Sequence, residues 1–121
     1  MKRKVSDLSG VALDWAVAKC DGYHATIKPT EIIYTHPTGE WHHNGNWKPS
    51  VSWVQGGPII ERERISVLAD HPDVEGPWLA EDDDGVIHEF GQTPLVAAMR
   101  CFVASKIGDE VDVPDELCEE E

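Results

Sequence analysis

Four groups of residues in this chain have types and spacing that chemistry could use. His36, Glu40, His42 and His43 carry imidazole and carboxylate donors, which suit zinc or nickel. Adjacent histidines do not both face one ion from a regular strand, and no His-Glu-x-x-His or Cys/His pattern accompanies them. The stretch therefore reads as a solvated, turn-rich loop, and no metal is assigned to it. Glu81-Asp82-Asp83-Asp84-Gly85 has the acid density of a calcium loop. Aligning Gly85 with the invariant glycine of an EF-hand places Ala80 and Gly91 at the first and twelfth ligand positions, which should be acidic. An acidic hairpin turn fits better.

The third group is Trp41, Trp47 and Trp53, at a six-residue spacing that matches neither helix nor strand. Tryptophan offers a large apolar face and one donor, so it is favoured where a protein meets a partner. They read as folding back to cover the sheet, with Trp53 foremost as the core residue; the competing reading is a surface site, mostly of Trp41 and Trp47. The fourth group is Gln55-Gly56-Gly57-Pro58 followed by Glu61, Arg62 and Arg64. It reads as a tight turn leading into a strand, with Glu61/Arg64 or Glu63/Arg62 as surface pairs. The competing reading is a small pocket in which bare backbone, an aromatic and an arginine hold an anion or nucleotide. Neither phosphate-loop motif is present, and no Gly-x-Ser-x-Gly elbow marks a nucleophile. Cys20, Cys101 and Cys118 are odd in number and widely spaced, so they specify no disulfide framework.

The elements that must position these groups follow from periodicity. Leu8, Val11, Ala12, Trp15 and Ala18 lie at helical spacing, predicting a helix over residues 9–20 with Ser9 as its cap and Gly22 after its end. A short strand is expected over 30–35, then a long irregular loop over 36–50, rich in Pro, Gly and Asn. Three strands near 64–69, 78–81 and 86–90 form an antiparallel meander, with 71–77 and 83–85 as turns. Thr93-Pro94 opens the clearest helix, which Gly108 closes. Val111 and Val113 suggest a short edge strand, and Pro114-Asp115-Glu116-Leu117 a last helical turn. The resulting class is α+β: a small antiparallel sheet of three to four strands with two main helices packed on it. Residues 1–113 are expected to form one domain and residues 114–121 an acidic tail.

The chain has 121 residues, with 23 Asp+Glu against 10 Lys+Arg and a formal charge of −13. That balance disfavours binding nucleic acid or an anionic membrane by charge neutralisation. Eight of the acids fall in residues 109–121, so the body before them is only mildly acidic. No apolar run reaches the roughly 20 residues of a membrane span. A cytoplasmic location is expected, and no cofactor.

Three blocks resemble the NinX-like proteins of temperate phages and prophages, a family of unknown function. They are Lys4-Val5-Ser6-Asp7-Leu8-Ser9-Gly10 with Leu13-Asp14-Trp15 and Val17-Ala18 to Gly22; Pro49-Ser50 with Trp53-Val54-Gln55-Gly56-Gly57-Pro58-Ile59-Ile60-Glu61-Arg62, ending near Ile65; and Gly91-Gln92-Thr93-Pro94-Leu95-Val96-Ala97-Ala98-Met99-Arg100 with Val103-Ala104-Ser105-Lys106 and Gly108-Asp109-Glu110-Val111. Trp47 stands where the family usually has tyrosine, and Val51-Ser52 where it commonly has Thr-Asp. The order of strands, Gly-x-Thr-Pro and alanine-rich helix also looks like the sheet-and-helix unit of HicB-type antitoxins. The resemblance implies a phage-encoded accessory protein and transfers no catalytic residue.

The expected function is binding of a host or phage protein, or of a small anionic ligand. The candidate surface is Trp41, Trp47, Pro49, Ser50, Trp53, Gln55, Gly56, Gly57, Glu61, Arg62 and Arg64. Two alternatives stand beside it. One is an acidic decoy that presents the tail to a host nucleic-acid-binding protein. The other is a small enzyme using a ligand at the turn in residues 55–64.

Overall fold

The computed structural model describes residues 1–69 and 76–118. They form a mixed α+β structure with three small antiparallel sheets in place of the single expected one. Strand β1 (Lys2–Lys4) leads through a short 3-10 turn (Val5–Asp7) into helix α1 (Gly10–Cys20). A hairpin sheet follows: β2 (His24–Ile27), β3 (Ile32–Thr35) and β4 (Trp41–His43), paired in that order. Helix α2 (Trp53–Glu63) comes next, then the meander β5 (Ser66–Leu68), β6 (Trp78–Glu81) and β7 (His88–Gly91). Helix α3 (Pro94–Ile107), strand β8 (Glu110–Asp112) and a 3-10 turn (Asp115–Leu117) complete the described chain.

Helix α3 is the centre of the molecule. Thr93 Oγ1 accepts from Val96 N at 3.1 Å and Pro94 sits at the first position, as the sequence pattern predicts. Its middle, including Ala97, Ala98, Met99, Phe102 and Val103, is buried on nearly every side. That burial follows from its neighbours, since α1, α2 and the meander all pack on it. Gly91, at the end of β7, lies so close to the Ala97 backbone that a Cβ would sit 2.5 Å from its nitrogen. Helix α1 is likewise buried over residues 13–18, between α3 and β2. Ser9 occupies its N-cap position, but its side chain makes no cap hydrogen bond there, which differs from the expectation. Gly22 does take the left-handed conformation after the helix, with φ of 93°.

The meander has the predicted order, with β6 pairing both neighbours antiparallel. Its acidic turn is held by Asp82, whose Oδ1 accepts from Val86 N at 2.9 Å and Ile87 N at 3.0 Å. Residues 71–75 of the expected turn before β6 lie outside the described residues. The edge strand at Val111 forms by pairing with β1: Lys2 faces Asp112 and Lys4 faces Glu110. Opposite charges on directly facing positions favour that register.

Two further expectations are corrected, and the second adds a third helix to the two expected. The region over 36–50 is not one irregular loop, because residues 41–43 fold back as β4 onto β3. This strand is three residues long and half-exposed, so its sequence carries little periodic signal. The Gly56-Gly57-Pro58 segment is not a turn but the middle of α2. Gly56, Ile59, Ile60 and Glu63 recur at helical spacing on the covered side, while Pro58 lies on the solvent side. Helix packing against α3 outweighs the local preference of glycine and proline to break a helix.

Candidate functional site

The segment over residues 47–64 has an inner and an outer face. On the inner face, the chain after β4 turns into α2 around Lys48, whose carbonyl accepts from Val51 N and Ser52 N at 3.0 and 2.8 Å. Gln55 closes this turn from the helix: its Oε1 accepts from Lys48 N and its Nε2 donates to Asn46 O, both at 2.6 Å. Trp47 is therefore carried inward. It is 5% exposed, and its Nε1 donates to Asp14 O at 2.9 Å. The Tyr23 ring lies 4.9 Å from it and the His42 ring 5.1 Å.

Behind Trp47 sits a buried carboxylate. Asp14 Oδ1 accepts from Ser50 N at 2.9 Å, and both residues are almost completely covered. Burial pushes the Asp14 carboxyl up to about 6, although the Ser50 hydrogen bonds and Lys48 pull the other way. The Tyr34 hydroxyl is the buried side-chain polar atom that lacks a hydrogen-bond partner among the described residues. Ser50 is itself buried, and this carboxylate–serine pair joins α1 to the segment.

Pro49 and Gly56 complete the inner face. A Cβ on Gly56 would lie 2.5 Å from Pro49 O and 2.6 Å from Leu95 Cδ2, so only glycine lets α2 seat here. At the far end of the helix, Arg62 is a clamp and not an open anion site. Its Nη2 meets Asp21 Oδ1 at 2.8 Å and its Nε meets Glu63 Oε2 at 2.9 Å. Its guanidinium also lies over the Phe102 ring at 5.7 Å. Glu63 Oε1 then receives Lys106 Nζ at 3.1 Å, which ties α1, α2 and α3 together. Burial opposes the Glu63 charge, yet Arg62 and Lys106 hold its carboxyl below the ordinary value. Arg64 takes a left-handed backbone with φ of 56° and pairs with Asp83 at 3.2 Å. Of the two expected surface pairs, Glu63/Arg62 forms and Arg64 goes to the meander turn instead.

The outer face is apolar. Val51 is 67% exposed, Trp53 57% and Val54 84%. Pro58 and Glu61 continue the same side of α2. Beside it lies an open slot of about 190 Å³, lined by Ser50, Val51, Trp53, Thr93, Pro94 and Leu95. Trp41 stands apart on β4, 60% exposed and opposite Thr35.

Trp47 thus folds inward over the sheet, and Trp53, the tryptophan foremost expected in the core, lies outside. Trp47 is core because β4 returns the chain over Tyr34, and Trp53 is exposed because it begins a helix on its outward side. Val51, Val54 and Leu95 belong to the outer face and escaped the sequence reading. Reading residues 53–63 at helical spacing, with 56, 59, 60 and 63 inside, would have placed Val54, Gly57 and Pro58 outside.

The histidine stretch is absorbed by local bonds. His36 Nδ1 lies 3.0 Å from Thr38 Oγ1, His42 Nε2 2.9 Å from Glu40 Oε2, and His43 Nδ1 accepts from Gly45 N. His42 and Tyr23 hold the Glu40 carboxyl below its usual value. Among the described residues no three His, Cys, Asp or Glu side chains gather as metal ligands would. No helix of the described residues is long and apolar enough to cross a membrane.

Fold and site together define a small α+β protein whose exposed apolar side chains gather at one edge of a helical layer. The family model described as Bacteriophage P22, NinX matches residues 4–106, and the chain belongs to that family. No curated protein matches it.

Proposed function

We propose that this phage-family protein acts by binding a protein through the outer face of residues 47–64, and not by catalysis. The observation that carries the reading is the adjacent exposure of Val51, Trp53 and Val54 next to the slot at Pro94 and Leu95. Contiguous exposed apolar side chains around an aromatic are what contact surfaces use. Within the candidate set, Trp53, Gly57 and Glu61 lie on this face. Trp47, Pro49, Ser50, Gly56 and Arg62 support it from behind. The small-enzyme alternative needs a glycine turn at residues 55–58, and that turn is helix. A small anion would have to displace Asp21 and Glu63 from Arg62.

The test is affinity capture from host lysate with wild type and with Val54→Glu, each verified as folded by circular dichroism. Capture of a specific protein by wild type and its loss in Val54→Glu is the expected result. Equal capture by both would move the binding surface elsewhere.

A further inference from the structure

We propose that the outer face of α2 is a self-association surface, and that its occupant is the same face of a second copy of this chain. The inference rests on the reading above and names the partner of that face.

The first argument is Gly57. Gly56 is explained from within, since a side chain there would strike Pro49 and Leu95. Gly57 is not: a Cβ built on it would find its nearest neighbour, Trp53 Cε3, at 4.0 Å. Its φ is not positive, so the backbone does not need glycine either. Glycine in a helix interior is less favourable than alanine. Its neighbour Pro58 lacks the N–H that would donate within the helix, a further local cost. A bare helical surface that nothing inside requires is what a second helix needs for close approach.

The second argument is charge. All 23 acids lie outside residues 41–60 and 90–108, the two stretches that supply this face as far as Pro58 and its slot. Two chains of formal charge −13 repel wherever their acids meet. Over residues 51–58 this face lets two copies touch without bringing carboxylates together, with Glu61 standing at its far end.

The third is shape. A two-fold contact requires one patch to carry both knob and hole. Here the knob is Val54, 84% exposed, and the hole is the slot between Trp53 and Leu95 together with bare Gly57.

Sedimentation velocity of the full chain between about 10 and 300 μM tests this, in dilute buffer and in about 0.5 M NaCl, where repulsion is screened. Wild type is expected to shift from 13.4 kDa toward twice that mass, more completely at high salt. Val54→Glu buries a carboxylate against a like-charged partner and weakens association at least about 100-fold. Gly57→Ala separates fold from contact. Its melting temperature, measured at the lowest concentration, rises by about 4 °C, while association weakens about tenfold. Monomer throughout in wild type, or association unchanged in both variants, overturns the proposal. A wild-type monomer that still captures a lysate protein through Val54 overturns self-association and leaves the broader reading standing. A dimer weakened by both variants that captures no lysate protein supports self-association and removes only the host-protein partner.

Discussion

Trp47 and Trp53 stand six residues apart in one short segment, and the fold gives them opposite duties. Trp47 is locked inside, bonded to the α1 backbone and packed on Tyr23 and Tyr34. Trp53 is more than half exposed at the start of α2. The two faces of α2 repeat the contrast at single-residue resolution. Gly56 is a packing necessity, and its neighbour Gly57 meets nothing inside. Residue type therefore does not identify a contact residue in this protein. What separates support from contact is which side of a helix or turn the residue falls on.

Substitutions can break that contrast or sharpen it. The largest effect is expected from Trp47→Ala, which removes a buried ring and the bond to Asp14 O. Denaturant unfolding should show a loss of about 3–5 kcal/mol, whereas Trp53→Ala should stay within about 0.5 kcal/mol of wild type. Equal losses would erase the distinction between the two tryptophans.

Gly56→Ala comes next, at about 3 kcal/mol, because the Pro49 carbonyl cannot yield to the new methyl as a flexible side chain would. Thermal unfolding of Gly56→Ala beside wild type measures it.

Asp14 follows, with an unusual sign. Its folded-state value of about 6 lies above the ordinary 3.8, so the folded chain holds this proton more tightly than the unfolded chain. The group therefore favours folding below about pH 4, and that contribution is lost as pH rises to about 6. Asp14→Asn keeps an acceptor for Ser50 N without the charge. It should raise stability at pH 7.5 by about 2 kcal/mol and flatten the dependence between pH 4 and 6 relative to wild type. A parallel pair of stability curves would contradict the buried charge.

The smallest effect belongs to Arg62→Ala, about 1 kcal/mol, since the clamp is half-exposed and screened. A larger loss, accompanied by lost ligand binding, would return Arg62 to the contact surface.

Much of the scaffold was legible before the structure. Helix α3 announces itself by Thr93-Pro94 and by apolar residues on several sides, and the meander by short apolar runs between turn residues. These signals are local: each cap and turn is made by residues within a few positions of one another. Helix α2 was not legible in the same way, because Gly-Gly-Pro is locally a breaker. It persists because Ile59 is buried and Gly56 allows close seating on Leu95 and Pro49, contacts made with residues distant in the chain. The strands β2 and β4 are only four and three residues long, too short for periodicity to declare. Among the candidate residues, Trp53 was expected in the core and is exposed, because the side of a helix on which a residue falls is set by packing with distant elements.

The sequence alone determined the α+β class, the meander, α3, the family blocks and the concentration of acids away from residues 41–60 and 90–108. These rest on local periodicity, capping and composition, which act within a few residues. Only the tertiary structure decided that Trp47 lies inside and Trp53 outside. The same holds for the helical Gly56-Gly57-Pro58, for Arg62 as a clamp and for Asp14 as a buried charge. Each depends on which distant element arrives on which side, and packing between elements sets that.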